Sequence, residues 1–325
     1  MRIVLWIVLA LGVLWGGYWF VGSATLDREV NAWFDAQSTG DRMVGREAVS
    51  VAGFPNRFDV TVTAPYVMDA ATGWGWKAPF LQLFSMTWKP WHWIAVTAPT
   101  QEITSPSGRI ITVTSDIRAS LQLYPGLNLS LNEARVDVKK LTFTADDWSM
   151  AAGEVEFAAA ADPSWKNGVR IGLRAQDLTL DPAVAAQVSD LGAVISDVHL
   201  DATVQLSMPV DRHLTPDAQV TAVHLAETHV TWGDLAISGK GTLNRAADGR
   251  AEGEIALSIT GWRRLPDALV ALGALPVRMG PWALRALNQL AAGGADPDML
   301  EVPLVMKTGR MSLGAFPLGA APMLP

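Results

Sequence analysis

Apolar and polar residues alternate along many segments of this chain. The longest such segment runs from Asp197 to Met208, where Val198 and every second residue after it are apolar. Shorter segments over 58–62, 235–243 and 255–259 show the same period of two. This period is typical of β-strands with one dry face and one wet face, which antiparallel sheets commonly have. We therefore predict a large antiparallel sheet.

Turn signals separate the predicted strands. Asp162-Pro163, Asn167-Gly168 and Asp248-Gly249 are turn dipeptides between alternating segments. Leucines at alternate positions over 127–131 predict a further strand, and the apolar segment 300–304 predicts one near the C-terminus.

Three short helices are predicted among these strands. Asp181 and Pro182 supply an N-cap and a first-turn proline for a helix that ends near Leu191. Apolar residues at helical spacing predict two more, over 265–275 and over 281–292, and Gly293-Gly294 follows the second of these.

The N-terminal segment has a different pattern. Ile3 to Val21 is an apolar run of 19 residues without a charge. As a helix it is about 28 Å long, close to the roughly 30 Å hydrocarbon thickness of a bilayer. Trp15, Tyr18 and Trp19 lie near its far end, where aromatic rings favour the membrane interface. The run predicts a transmembrane signal anchor.

Flanking charges predict the orientation of this anchor. Arg2 precedes the run, and Asp27-Arg28-Glu29 follows it with a net negative charge. The positive-inside rule then places the N-terminus in the cytoplasm and predicts a single-pass inner-membrane protein with most of the chain in the periplasm. A cleaved signal peptide is the rival interpretation, since Gly22-Ser23-Ala24 offers small residues for cleavage. Both interpretations export the rest of the chain.

The predicted domains are an anchor over 1–22, an amphipathic helix and linker over 23–45, and a β-rich domain over 46–325. The domain either divides near 162–168 or forms one continuous sheet. The fold class is therefore mainly β (α+β): a large antiparallel sheet of half-barrel or sandwich-like form, a few short helices and one transmembrane helix. The apolar stripe of the amphipathic helix contains Leu26, Val30, Trp33 and Phe34.

Composition excludes several function classes. The formal net charge of −7 argues against nucleic-acid binding, which needs a surplus of Lys and Arg. The chain has no cysteine, which excludes disulfides and thiolate chemistry. His224 and His229 are five residues apart in a strand-like segment, so strict alternation places them on opposite faces. We find no local catalytic, metal or cofactor signature and predict a protein that is not an enzyme.

An aromatic segment between residues 74 and 93 is the most unusual feature of the composition. It supplies the candidate lipid or membrane contacts Trp74, Trp76, Phe80, Phe84, Trp88, Trp91 and Trp93. Aromatic rings favour membrane interfaces and acyl chains, but they also fill ordinary protein cores. Both interpretations remain open at this point.

Four segments resemble signatures of a bacterial family of membrane-anchored envelope proteins, domain of unknown function 2125. They are residues 52–63, residues 73–80 with 88–92, residues 231–241, and residues 309–314. The resemblance implies an inner-membrane protein that faces the periplasm, and it brings no catalytic residues. The second half is also loosely similar to AsmA-like envelope proteins, which form half-open β structures that handle lipid.

These observations lead to three hypotheses of function. The leading one is an envelope protein that binds or guides lipid-like apolar molecules, with membrane lipid as its partner. The alternative is a structural or assembly factor without a ligand, which acts through envelope protein partners. An enzyme with an unfamiliar site ranks third.

Overall fold

A computed structural model describes residues 1–292 and 296–325 and confirms a mainly β fold. The chain divides into two compact units. Unit 1 consists of Met1–Pro125 and Thr142–Asp147, and unit 2 consists of Gly126–Leu141 and Trp148–Pro325. Residues 163–167 lie within unit 2, where they connect two paired strands.

Helix α1 (Arg2–Gln37) joins the apolar run and the amphipathic segment into one continuous helix. Its most apolar window has a mean hydropathy of 2.0, which suggests a signal sequence or a membrane anchor. The second half of α1 packs into unit 1, where Val30 and Phe34 contact Val44 and Val62. Trp33 is exposed, so it does not belong to the packed face of α1, although the sequence placed it on the apolar stripe.

Unit 1 contains ten short strands and the end of an eleventh among its described residues. They are β1 (Arg42–Gly45), β2 (Ala48–Ala52), β3 (Arg57–Thr63), β4 (Tyr66–Asp69), β5 (Trp74–Lys77), β6 (Phe80–Met86), β7 (Lys89–Thr97), β8 (Thr100–Ser105), β9 (Gly108–Val113), β10 (Asp116–Leu123) and the end of β11 (Leu131–Thr144). One antiparallel ladder runs β2-β3-β6-β7-β10. The other runs β1-β4-β5-β8-β9 and continues to residues 142–144 of β11. Val60 and Val62 of β3 are almost fully buried, which confirms the strand predicted over 58–62.

Unit 2 is an antiparallel meander in which each strand from β12 to β20 pairs with the next. Its strands are β12 (Ser149–Asp162), β13 (Gly168–Thr179), β14 (Val194–Leu206), β15 (Val220–Trp232), β16 (Leu235–Arg245), β17 (Ala251–Thr260), β18 (Met299–Lys307), β19 (Arg310–Leu313) and β20 (Phe316–Ala320). Its helices are α2 (Pro182–Gln187), α3 (Leu265–Ala271) and α4 (Gly280–Ala291), with 3₁₀ turns at Trp262–Arg264 and Val277–Met279.

The three short helices form at the predicted places. Asp181 caps α2 by accepting a hydrogen bond from the Ala183 backbone N–H at 2.8 Å. Helices α2 and α3 each end four residues earlier than predicted. The predicted end of α4 at Gly293-Gly294 lies outside the described residues.

The strand predicted over 127–131 is wrong, because only Leu131 begins a strand there. Leu129 has a φ of +51°, which a strand does not contain, and Leu127 is 86% exposed. The segment instead forms a loop held by backbone hydrogen bonds to residues 210 and 212.

Candidate functional site

The dry faces of the long strands in unit 2 lie side by side. Val198 of β14 is opposite Ala175 of β13 and Val230 of β15, and residues directly opposite one another share a face of the sheet. This first row continues through Ile237, Ile259 and Leu300. The second row contains Phe157, Leu173, Leu200, Thr228, Gly239, Leu257 and Val302. The third contains Ala159, Ile171, Ala202, Leu225, Gly241, Ile255 and Leu304.

Helices cover one end of this dry face. The main apolar core of unit 2 combines the first row with side chains of α2, α3 and α4. Trp232 and Trp262 are the largest side chains that are almost fully buried there. The Trp232 indole N–H donates a hydrogen bond to the Gly192 carbonyl oxygen at 2.9 Å, which holds the end of β15 against the loop after α2.

The C-terminal segment covers the opposite end. Ala321 is buried in a second apolar cluster with Ala251 and Met306. The Val220 backbone N–H donates a hydrogen bond to the Pro325 carbonyl oxygen at 2.7 Å. Both ends of the dry face are therefore packed.

Between these covers lies a strip of half-buried apolar side chains that belongs to neither cluster. We call this set the open strip: Leu173, Leu200, Val204, Val223, Leu225 and Ile255. Leu173 is opposite Leu200, and Val204 is opposite Val223, so the strip extends across the three strands β13 to β15. Ile255 on β17 lies beyond Gly241 of β16, which has no side chain. Apolar side chains that remain half-exposed on a sheet face are available to a ligand or partner.

The wet face of the same strands carries charge ladders. Arg170 contacts Asp201 at 2.5 Å, and its hydrogen bond lowers the pKa of the Asp201 carboxyl. Partial burial acts to raise the pKa of Asp197, but hydrogen bonds from Arg174 and His229 outweigh it, and the pKa is lowered. The Asp197 and Asp201 carboxyls are therefore ionised at neutral pH and paired with Arg174 and Arg170.

A β-bulge corrects the prediction that His224 and His229 lie on opposite faces. The register between β14 and β15 shifts between Asp201 and Ala202, which pair with Glu227 and Leu225. His224 is therefore opposite Thr203 and His229 is opposite His199, and both lie on the wet face. The rings of His199 and His229 stack at 5.0 Å. The described residues contain no group of three or more side chains placed to hold a metal ion.

A shallow groove of about 700 Å³ lies over β15 to β18 of unit 2. Its lining includes Lys240, Glu254 and Glu301, which alternation places on the wet face. The groove therefore lies on the wet face, on the opposite side of the sheet from the open strip.

The structure distributes the aromatic segment over β5, β6, β7 and the turn before β7. Trp74 is exposed and lies opposite Asp69, whereas Trp76 is half-buried and donates a hydrogen bond to Gln101 at 2.7 Å. Phe80, Phe84, Trp91 and Trp93 are half-buried, and Trp88 is exposed. The seven rings do not form one surface, and lipid contact by the set stays a prediction.

A different aromatic cluster joins α1 to unit 1. Trp19 lies 5.4 Å from Phe54 and 6.3 Å from Phe58, measured between ring centroids. Tyr18 also contacts Phe58, and Phe20 also contacts Phe54. Sequence reasoning assigned the helix aromatics to a membrane interface and missed these partners, which lie more than 30 residues away. The sequence signal that could have identified this cluster is the concentration of aromatic residues at 15–20 and at 54–58.

A family model described as an uncharacterized protein conserved in bacteria, DUF2125, matches residues 19–322. The chain belongs to the DUF2125 family. No curated protein matches this chain. The DUF2125 match begins at Trp19, so it includes the aromatic end of α1 and nearly all of both units.

Two glycines within the matched residues occupy turns that other residues adopt only with strain. Gly53 has a φ of +99° and Gly233 a φ of +55°. A Cβ atom at Gly233 would lie 2.7 Å from the Leu191 carbonyl oxygen, beside the Gly192 carbonyl that accepts the Trp232 hydrogen bond. Gly233 therefore permits the close packing of the loop after α2 against the end of β15.

Proposed function

We propose that this DUF2125 protein is anchored in the inner membrane by α1 and that the open strip of unit 2 binds or guides lipid-like apolar molecules. The observation that carries the proposal is the half-buried row of side chains between two packed ends. Each end of the dry face has a cover made by the chain itself. An acyl chain is the kind of ligand that would bury the apolar middle without needing polar partners.

The contacts of α1 support a retained anchor over a cleaved signal peptide. Cleavage near Gly22-Ser23-Ala24 would remove Tyr18 and Trp19, whose rings pack on Phe58. Trp19 is 7% exposed, and its indole N–H donates a hydrogen bond to the Arg57 carbonyl oxygen at 2.7 Å. Loss of this packing would expose the apolar surface of unit 1 to water, so unit 1 favours an intact helix.

The position of the charges also supports lipid as the partner. Apolar side chains occupy the dry face of unit 2, whereas Arg170, Arg174 and their carboxylate partners lie on the wet face. The charges that flank α1 support the placement of both units in the periplasm.

Mass spectrometry of an organic extract from the purified full-length protein tests the proposal. We expect phospholipid in the extract of the wild type and of Gln205→Glu, because Gln205 lies on the wet face of β14. The neighbouring Val204→Glu places a carboxylate in the open strip, and we expect it to lose most of that lipid. A wild-type protein without lipid, recovered with a defined protein crosslinked to its periplasmic face, would favour the alternative of a ligand-free assembly factor.

A further inference from the structure

Two loops of unit 1 hold the apolar half of α1. The Trp15 indole N–H donates a hydrogen bond to the Pro55 carbonyl oxygen at 3.1 Å, and the Tyr18 hydroxyl donates one to the Thr87 carbonyl oxygen at 2.9 Å. We call the two loops, residues 54–57 and 86–89, the tip of unit 1.

The helix contacts set the depth of the tip. Trp15 follows Ile3 by 12 residues and Trp19 follows it by 16, so they lie about 18 and 24 Å along the helix axis. The hydrocarbon layer that a spanning helix crosses is about 30 Å thick. Loops that contact Trp15 and Tyr18 therefore lie beside the outer half of the membrane-spanning part of α1, about 6–12 Å inside the outer boundary of the hydrocarbon layer.

The side chains of the tip suit this position. Phe54 is 57% exposed, Trp88 is 50% exposed and Met86 is 42% exposed, although all three are large and apolar. Arg57 and Lys89 lie in the same two loops, and Arg57 is half-exposed while it pairs with Asp59 at 2.7 Å. Basic side chains in such loops suit the neighbourhood of lipid phosphates. Such a combination of exposed apolar and basic side chains is typical of membrane-interface contacts.

We propose that the tip of unit 1 inserts into the interface of the outer leaflet, with Phe54 and Trp88 among the acyl chains and headgroups. Insertion fixes unit 1 against the bilayer at a second point besides α1. We assign the partner of the tip as the lipid bilayer, because the exposed tip is continuous with the apolar surface of α1. The inference rests on the membrane anchorage of α1 in the proposed function and is independent of the open strip.

Single-cysteine labelling tests this contact directly, since the chain has no cysteine of its own. A polarity-sensitive fluorophore is attached to Phe54→Cys, Trp88→Cys, Trp74→Cys or Leu9→Cys in the full-length protein. Each variant is reconstituted into phosphatidylethanolamine–phosphatidylglycerol vesicles that contain a phospholipid with a nitroxide near the headgroup end of its acyl chain. Far-UV circular dichroism confirms that each variant folds.

The other two positions are matched controls. Trp74 is 52% exposed, about as much as Trp88 at 50%. It lies opposite Asp69, and Asp69 lies opposite Arg42, which follows the C-terminal end of α1. About 33 Å of helix separates Trp15 from Gln37. Leu9 lies within the apolar run and reports insertion of α1 itself.

We expect blue-shifted emission and several-fold stronger nitroxide quenching at positions 54 and 88 than at position 74. The labels at positions 54 and 88 could instead behave like the label at 74 while the label at position 9 is quenched. That result would overturn the tip contact and leave the anchor intact. Blue-shifted labels at 54 and 88 that lipid nitroxide does not quench would also overturn it, because protein would then cover the tip. Absence of quenching at position 9 would overturn the anchor and the tip contact together.

Discussion

Replacement of Trp232 by alanine tests whether the helices of unit 2 are fixed to the sheet. Trp232 is 2% exposed and packs in the core beneath the helices. Removal of a buried aromatic side chain costs about 3–5 kcal/mol, because transfer free energy is lost and a cavity remains. Its hydrogen bond to Gly192 contributes about 1 kcal/mol net. We therefore expect Trp232→Ala to lower the free energy of unfolding by about 4 kcal/mol.

Urea unfolding of the full-length protein in detergent, followed by far-UV circular dichroism, measures this loss. Trp232→Phe keeps an aromatic ring but not the N–H donor, and we expect it to lose about 1–2 kcal/mol. Trp282→Ala is the matched control, because Trp282 is a half-exposed tryptophan on α4 of the same unit, and we expect it to cost about 1 kcal/mol or less. Equal losses in Trp232→Ala and Trp282→Ala would refute the reasoning, since the helices would then not depend on the buried indole.

Three further predictions concern the sheet, acid stability and the anchor. Gly241→Ala should strongly lower the melting temperature, because its Cβ atom would lie 2.1 Å from the Glu254 carbonyl oxygen, whereas Gly172→Ala has open space and should change it little; similar shifts would contradict this. The pKa of Asp201 is lowered on folding, so its stabilisation is complete above the unfolded pKa of about 3.9 and is lost as pH falls through the folded pKa. Urea midpoints of wild type and Asp201→Asn should therefore differ at neutral pH and converge in acid, and a constant difference would count against the pair. Gly22→Leu should loosen α1 from unit 1 and increase its proteolysis, because a Cβ atom there would lie 2.7 Å from the Phe58 ring, and unchanged cleavage would dispose of this idea.

The elements that depend on local chemistry could be predicted from the sequence. The alternation from Val198 onward predicts β14, since a period of two is visible in a single segment. Asp181 and Pro182 predict the start of α2 for a similar reason. Gly22-Ser23-Ala24 was interpreted as a possible cleavage site, because small residues are typical of such sites. In the structure Gly22 lies within α1 and allows the close approach of Phe58.

The wrong predictions concern segments whose conformation depends on contacts that the local sequence pattern does not contain. The strand predicted over 127–131 failed because alternating leucines occur in a loop with positive φ at Leu129. His224 and His229 were assigned to opposite faces because alternation cannot reveal the bulge in β15. The open strip and the contacts of Trp15 with Pro55 depend on residues distant in the chain, so no local pattern contains them.

The central claim is that lipid occupies the open strip, and site-specific photocrosslinking in living cells tests it most directly. A benzophenone amino acid replaces Leu225 on the dry face or His224 on the wet face, in cells with radiolabelled phosphate in their lipids. We predict a radiolabelled, lipid-sized adduct at position 225 and much less at position 224. Equal labelling at both positions, or protein adducts alone at position 225, would contradict the account.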